Sequence, residues 1–328
     1  MDRKIQHLFI INPKSFWHRW KEKQMIEKIH SFFSSIGDNN YEIYISRFPR
    51  DASGFIPMYV KNLGDDTTLR VYSVGGDGIF FDCLNGVMGL ENIELGIMPY
   101  GYTNNFINSF GKNSNAVFRN IENQYKAQAV PLDVIRCGSN YTVNYCVTGI
   151  EAEAIRYAEE IRKNRDRFLY KWLSMLFYKT YYLLGAFLAS FNKKKFHRLY
   201  NIEIDNEKLT GSFLGAGVLN SSYNGGIKGL VSKAMPNDGI LDIIAISGQG
   251  HKRTFTALPF FMFNLLFKDN LKIIYKRGKK IKIRSDKTIL YIMENIPFFD
   301  RELEIELLAG ALQFIDAGNN EYKGISNG

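Results

Sequence analysis

A run of strand-forming residues, Thr68-Leu-Arg-Val-Tyr-Ser-Val74, stops at Gly75-Gly76-Asp77-Gly78, and a helical pattern, Ile79-Phe-Phe-Asp-Cys-Leu-Asn85, begins directly after it. This order of strand, glycine turn and helix constrains the fold more than any other feature of the chain. Glycines let the backbone turn sharply and come close to a ligand. A helix start presents unsatisfied N–H groups and the positive end of its dipole, which suits an anion. Asp77 adds a carboxylate that a metal-bound phosphate could use. A tight turn with a purely structural role has the same glycine content, so the motif alone leaves both readings open.

The surrounding segments repeat the pattern. His7 to Ile11 reads as a short strand stopped by Asn12-Pro13, and Trp17 to Phe33 has helical spacing, with Trp20, Ile26, Ile29 and Phe33 among its apolar positions. Tyr41 to Ser46 reads as a strand, Ala52 to Leu63 as a helix despite Pro57, and Glu94 to Met98 as a strand ended by Pro99. Helices are expected from about Asn105 and over Ala116 to Asn123. Strands alternating with helices predict an α/β domain with a mainly parallel sheet. Ligands of such sheets bind at the carboxyl ends of the strands. Asn12, Gly75 to Gly78 and Gly101 to Asn104 all fall at such ends.

Near Pro131 the character changes. Strands are expected over Val130–Arg136, Asn140–Thr148, Leu199–Ile204, Gly211–Leu219, Leu241–Ile246, Lys280–Arg284, Thr288–Met293 and Glu302–Leu307, with a long helical stretch from about Ala152 to Phe191. This predicts an α/β domain over residues 1–130 and a β-rich, sandwich-like second domain over 131–328. The second domain carries the long helical insertion, and its last segment is expected to pack back on the first domain. With 328 residues, 45% of them hydrophobic, the chain can build substantial cores.

The chain has 42 basic and 33 acidic residues, a net charge of +9, which favours anionic partners. Cys83, Cys137 and Cys146 have neither metal nor redox spacing and read as reduced, mostly buried thiols of a cytoplasmic protein. The five histidines are scattered, so no zinc cluster is visible. The N-terminus lacks the pattern of a signal peptide. No charge-free apolar run of ~20 residues occurs, and Phe168 to Phe191, which contains Lys171 and Lys179, reads as a helix with a large apolar face. Basic residues flank this stretch and the apolar segment Leu258–Phe267. The bland reading of both is core packing; the functional one is peripheral contact with an anionic membrane surface. No nucleic-acid motif is present, so no nucleic-acid partner is expected. A homodimer is the remaining partner class.

Gly96 to Thr103 has P-loop glycine spacing, but Tyr102 stands at the lysine position. Phe81 occupies the third glycine position of a dinucleotide fingerprint. Neither motif applies. Val74-Gly-Gly-Asp-Gly-Ile-Phe-Phe-Asp-Cys-Leu-Asn-Gly86 instead resembles the GGDGT signature of the diacylglycerol kinase catalytic-domain family, with Asp82, Asn85 and Gly86 fitting its acidic residue and NG. The family includes bacterial lipid kinases and sphingosine kinases. Ile11-Asn-Pro-Lys-Ser15 resembles its N-P-x-S-G, and Pro99-Tyr-Gly-Tyr-Thr-Asn-Asn-Phe106 its P-x-G-T-x-N-D-F. Asn220 with Gly225-Gly226, and Ala234-Met-Pro-Asn-Asp-Gly-Ile-Leu-Asp242, resemble the motifs of its second domain. The matches keep their order over most of the chain.

The resemblance implies an ATP- and Mg2+-dependent lipid kinase, cytoplasmic and peripherally membrane-associated, that phosphorylates the hydroxyl of diacylglycerol or a related lipid alcohol. It implies a nucleotide site lined by Asn12, Ser15, Gly75, Gly76, Asp77, Gly78, Gly101, Thr103 and Asn104, with Asp77 catalytic beside magnesium. Asp238, with the carbonyls of Met235 and Ile240, matches a structural magnesium site. The general base of the family belongs to a late D-G-E motif; Glu294-Asn295-Ile296 aligns best with it, ahead of Asp300-Arg301-Glu302, and makes Glu294 the base. Departures are Ile79 for the threonine of GGDGT, Phe16 for glycine, Tyr102 for threonine, Asn105 for aspartate and Asn237 for the first aspartate of D-D-G. Two alternatives therefore stand beside the kinase: a catalytically degenerate nucleotide- or lipid-binding member, and a kinase of a soluble nucleotide or sugar.

Overall fold

The computed structural model describes residues 3–16, 19–101, 104–111, 113–163, 198–205, 207–221, 223–224, 227–228, 234–247 and 273–318. The chain divides into two compact units: the first runs to Asp133 and takes up the chain again from Gly310, and the second spans Val134–Ala309. The expected stretches beyond Lys163 to Phe191 and over Leu258–Phe267, together with Gly225-Gly226, lie outside the described residues.

The first unit is built from β1 (Lys4–Ile11), α1 (Arg19–Ile36), β2 (Tyr41–Ile45), α2 (Asp51–Val60), β3 (Thr67–Gly75), α3 (Asp77–Val87), β4 (Ile93–Pro99) and the short helices α4 (Asn105–Asn108), α5 (Ser114–Arg119) and α6 (Ile121–Lys126). Its sheet is parallel in the order β2-β1-β3-β4. Strands β1 and β3 are continuously buried from His7 and Leu69 onward, the pattern of a parallel sheet covered on both faces. In α1 the buried stripe is Met25, Ile29 and Phe33, at i, i+4 and i+8. Trp20 was expected on that stripe, but it is 57% exposed; five residues before Met25, it falls well off the stripe at 3.6 residues per turn. Ile26 is only half-buried beside it.

The register sets the site. Ile11 lies opposite Val74 in the β1–β3 ladder, and Gly75 opposite Pro99 in the β3–β4 ladder. The three strands thus end level, and the loops that follow leave the sheet side by side. Backbone bonds fasten those exits: the Asn12 amide donates to the Val74 carbonyl at 3.0 Å and the Tyr100 amide to the Gly75 carbonyl at 2.7 Å.

The second unit is antiparallel. Its strands include β7 (Tyr145–Gly149), β8 (Arg198–Ile204), β9 (Glu207–Leu219), β12 (Leu241–Ser247), β13 (Ile273–Gly278) and β14 (Lys280–Met293). Strands β5 (Ala129–Cys137) and β15 (Ile296–Ile315) contain the two crossings between units, and β6 (Asn140–Thr142) pairs with β5; β10 (Tyr223–Asn224) and β11 (Ile227–Lys228) form a small ribbon. Within this unit β13, β12, β9, β7 and β14 are consecutive neighbours, β14 continues into pairing with β15, and β8 bridges β14 and β9. The helix α7 (Ile150–Lys163) follows β7.

Several boundaries differ from expectation for identifiable reasons. The expected strand Asn140–Thr148 breaks at Val143-Asn144 into β6 and β7. The two expected strands at 280–293 are one, carrying a register shift between Arg284 and Ile289. Strand β13 has no counterpart in the sequence reading. The three cysteines are buried free thiols, and among the described residues no helix is long and apolar enough to cross a membrane.

Candidate active site

The glycine turn adopts the geometry its sequence demands. Gly75 has φ +158°, and Gly76 precedes α3 as an extended residue, so Asp77 becomes the first helical residue. The first turn of a helix has amides without intrahelical acceptors, aimed outward along the axis. A Cβ on Gly75 would lie 2.6 Å from the Ile79 side chain, 2.7 Å from Ser15 Oγ and 3.4 Å from Asn12 Cβ. A Cβ on Gly76 would come within 2.9 Å of Gly101 Cα, and one on Gly101 within 2.3 Å of Gly76 Cα. Only glycines allow the three loops to close this tightly.

Asn12 shapes the first loop by capping the 3-10 turn Pro13–Ser15, its side chain accepting from the Lys14 amide at 3.0 Å. Asn104 shapes the third: its Oδ1 accepts from the Gly101 amide and its Nδ2 donates to the Gly101 carbonyl, both at 3.0 Å. Asn104 has φ +44°, the left-handed region in which asparagine is among the most tolerated side chains. The next amide, of Asn105, donates to Asp77 Oδ1 at 2.9 Å. The first unit therefore brings together Asn12, Ser15, Gly75, Gly76, Asp77, Gly78, Gly101 and Asn104. Thr103 and Tyr102 lie outside the described residues.

The second half of the signature has a different task. Asp82 is buried and its Oδ2 accepts from the Ala52 amide at 3.1 Å, so it fastens the start of α2 to α3. Burial raises its carboxyl above the usual range, against the pull of the Ala52 and Ser53 donors and Arg50. A Cβ on Gly86 would lie 3.0 Å from Ser53 Cα, so this glycine lets α2 and α3 pack closely. Ile79, where the family has threonine, is 4% exposed and packs against Gly75.

Beside the glycine cradle is a cavity of about 320 Å3 whose lining includes Ser15, Phe16, Lys21, Lys28, Tyr100, Gly101 and Arg119. The Phe16 and Tyr100 rings are 5.2 Å apart, and the Arg119 guanidinium lies 5.1 Å from the Tyr100 ring centroid while its Nε donates to the Pro99 carbonyl at 2.5 Å. Aromatic faces with three cations suit a ligand that is both ring-bearing and anionic. The sequence reading missed Lys21, Lys28, Tyr100 and Arg119 as site residues. Their convergence depends on α1 and α5 packing at the same end of the sheet, which no local motif encodes.

In the second unit, Glu294 and Asn295 are the two central residues of the β14–β15 hairpin, with φ of +46° and +65°. Positive φ at both is the signature of a type I′ turn, a costly conformation for glutamate. Tyr145 holds the turn: its hydroxyl donates to Asn295 Oδ1 at 2.9 Å and accepts from the Asn295 amide at 3.2 Å. Glu294 is 2% exposed. Its carboxylate accepts from Thr142 Oγ1 at 2.5 Å and from Asn144 Nδ2 at 3.4 Å. Ser221 Oγ in turn donates to Asn144 Oδ1, and Asn220 Nδ2 to the Val143 carbonyl at 3.0 Å. The break between β6 and β7 thus supplies the donors that surround Glu294. Asp300, by contrast, is exposed, and Glu302 pairs with Lys282 at 2.6 Å and Arg284 at 2.9 Å.

Asp238 lies in the turn before β12. Its Oδ1 accepts from the Ile240 amide at 3.3 Å, and its Oδ2 takes the Arg277 guanidinium. Among the described residues no group of three His, Cys, Asp or Glu side chains could hold a metal ion. At Asp238 both carboxylate oxygens are engaged, one by an amide and the other by a guanidinium, and a donor set so committed does not fit a divalent ion. At Asp77 one carboxylate stands at the helix start, its Oδ1 taking the Asn105 amide; a divalent ion there would draw its remaining ligands from phosphate oxygens and water, for which the glycines leave room.

The chain thus joins a glycine cradle on a parallel sheet to an antiparallel unit, and comparison with known proteins places that combination. A family model for the diacylglycerol kinase catalytic domain matches residues 6–137, and one for the YegS C-terminal NAD kinase beta sandwich-like domain matches residues 144–297. The chain belongs to the diacylglycerol kinase catalytic-domain family, as a divergent member. A Staphylococcus haemolyticus protein named as a lipid kinase is 25% identical over 261 residues, 76% of this chain and 77% of that protein. The diacylglycerol kinase of Bacillus subtilis is 23% identical over 215 residues, 65% of this chain and 66% of that protein. A Bacillus anthracis crystal structure described as a diacylglycerol kinase shares the fold with a TM-score of 0.72 at 20% identity, covering 96% of this chain and 98% of its own.

Proposed function

We propose that the chain is an ATP-dependent lipid kinase that moves the γ-phosphoryl group to the hydroxyl of diacylglycerol or a related lipid alcohol. The observation that carries this reading is the closure of three loops, at Asn12–Ser15, Gly75–Gly78 and Gly101–Asn104, around one glycine cradle at the level ends of three parallel strands. Phosphoryl transfer asks for positioning and charge stabilisation more than for covalent chemistry. The amides at the start of α3 bind phosphate oxygens, and the glycines keep side chains out of the way. Lys21, Lys28 and Arg119 add positive charge, and Phe16 and Tyr100 offer ring faces to the base.

Asp77 would hold Mg2+ directly or through its water shell, and the ion would neutralise phosphate charge. Asp77 itself is oriented by the Asn105 amide. Glu294 is the proton acceptor for the lipid hydroxyl in this reading, kept in place by Thr142, Asn144 and the strained hairpin. The net charge of +9 suits approach to an anionic bilayer surface.

A second reading, binding of nucleotide or lipid without transfer, draws on Ile79, which offers the cradle a methyl where the family has a hydroxyl. One assay separates the two. Purified protein is incubated with Mg2+ and γ-labelled ATP, with a panel of diacylglycerols and other lipid alcohols in mixed micelles and a parallel panel of soluble nucleosides and sugars. Labelled phospholipid formed by the wild type and lost in Asp77→Ala is the expected result. ATP binding without any labelled product selects the non-catalytic reading, and product only from the soluble panel removes the lipid assignment.

A further inference from the structure

Strands β12 and β13 pair so that Asp242 lies directly opposite Arg277. Tyr275, two residues along β13, shares that face. Its hydroxyl donates to Asp242 Oδ1, and Arg277 Nε lies 3.6 Å from the same oxygen. The far end of the guanidinium reaches back to Asp238 Oδ2 in the turn that precedes β12. One side chain therefore spans both carboxylates of the Asn237-Asp238-Gly239-Ile240-Leu241-Asp242 motif. A planar guanidinium with five donors and a permanent charge is suited to this bridging.

The resemblance of this motif to that of other lipid kinases points to a divalent ion held by Asp238 and by the Met235 and Ile240 carbonyls. Two features of this chain oppose it. Asn237 stands where a further carboxylate is expected, which lowers the negative charge of the turn. Both Asp238 oxygens already have partners, the Ile240 amide and Arg277. Magnesium would have to displace the guanidinium to reach its six-oxygen shell. We propose that Arg277 replaces the divalent ion at this turn, so that the second unit holds the Asp238–Asp242 segment without metal.

Asp242 is 1% exposed, and among the described residues its buried Oδ2 has no hydrogen-bond partner. Loss of Arg277 would leave Asp238 and Asp242 close together without their shared cation. The turn would then become a place where an added divalent ion stabilises the fold.

The test is thermal unfolding of the full chain without nucleotide, in EDTA and in millimolar MgCl2 or CaCl2, for wild type, Asp238→Asn, Arg277→Ala and Arg277→Lys. Any response that persists in Asp238→Asn belongs elsewhere, so the Asp238-dependent part is read. The wild type should show none, and its metal content after gel filtration in metal-free buffer should be far below one ion per chain. Arg277→Ala should unfold roughly 5 °C or more below wild type and recover part of the loss in divalent metal; Arg277→Lys should lie between. If Arg277→Ala does not fold, the wild-type comparison and metal content decide alone. An Asp238-dependent drop of the wild-type midpoint in EDTA, or one tightly bound ion lost with Asp238→Asn, would overturn the proposal.

Discussion

Gly101→Ala is the sharpest perturbation of the glycine cradle. The added Cβ would sit 2.3 Å from Gly76 Cα and 2.8 Å from Asn104 Oδ1, about 1.1 Å short of the 3.4 Å at which ordinary contact begins. The nearest atom is backbone, fixed by the Tyr100–Gly75 hydrogen bond and by the start of α3, so it cannot rotate aside. The loops must part by roughly the deficit. A displacement of ~1 Å in a positioned reaction costs on the order of 100-fold in rate, equivalent to about 2.7 kcal/mol. Turnover on the lipid alcohol identified by the transfer assay should fall by about that factor, and calorimetric titration should show weaker binding of Mg–ATP. Gly54→Ala is the control: in α2 its Cβ meets nothing within 4 Å. It should add about 0.5–1 kcal/mol of stability and leave nucleotide affinity unchanged. A Gly101→Ala protein that keeps its affinity and turnover within a few-fold would refute the claim that this contact builds the site.

Other consequences are equally concrete. Asp77→Asn should lower kcat far more than nucleotide affinity, because the oxygen that accepts from the Asn105 amide survives while the charge is lost; titration and turnover measured together check this. Thr142→Val removes the 2.5 Å donor to Glu294 and should cost about 1–3 kcal/mol in chemical denaturation, with the pH–rate profile shifted as well. His7 is 2% exposed among Phe33, Tyr72 and Tyr125. Burial first, then Arg70, lowers its pKa from 6.5 to about 4, with Asp38 opposing. Its folded value lies below its unfolded one, so this contribution is complete above pH 6.5 and is lost as pH falls towards 4, up to about 3 kcal/mol. Urea melts across that window should show the loss in the wild type and a smaller one in His7→Phe.

The legible parts of this molecule are those whose cause is local. The glycine turn, Asn12-Pro13 and Gly101 can be read in sequence because each marks the end of one strand, and a parallel sheet brings strand ends to one edge. Glu294 is legible as a position only through the resemblance, where Glu294-Asn295-Ile296 aligns with the late D-G-E motif. Its donors are not: Thr142 and Asn144 lie about 150 residues away in sequence, and only the β14–β7 ladder places them beside it. The same holds for Arg277, whose meaning appears once β13 is laid against β12. In the GGDG signature the boundary between chemistry and packing was also hidden. Asp82 and Gly86 look like part of the phosphate motif, yet they fasten α2 to α3.

In this reading the three loops of the first unit form one phosphate site. A crystal structure of the full chain with Mg2+ and a non-hydrolysable ATP analogue tests it most directly. The phosphates are expected against the first amides of α3 and the Gly101 loop, Mg2+ on the Asp77 side and the base beside Phe16 and Tyr100. Phosphates bound away from Gly75–Gly78, with the cradle unchanged, would contradict it.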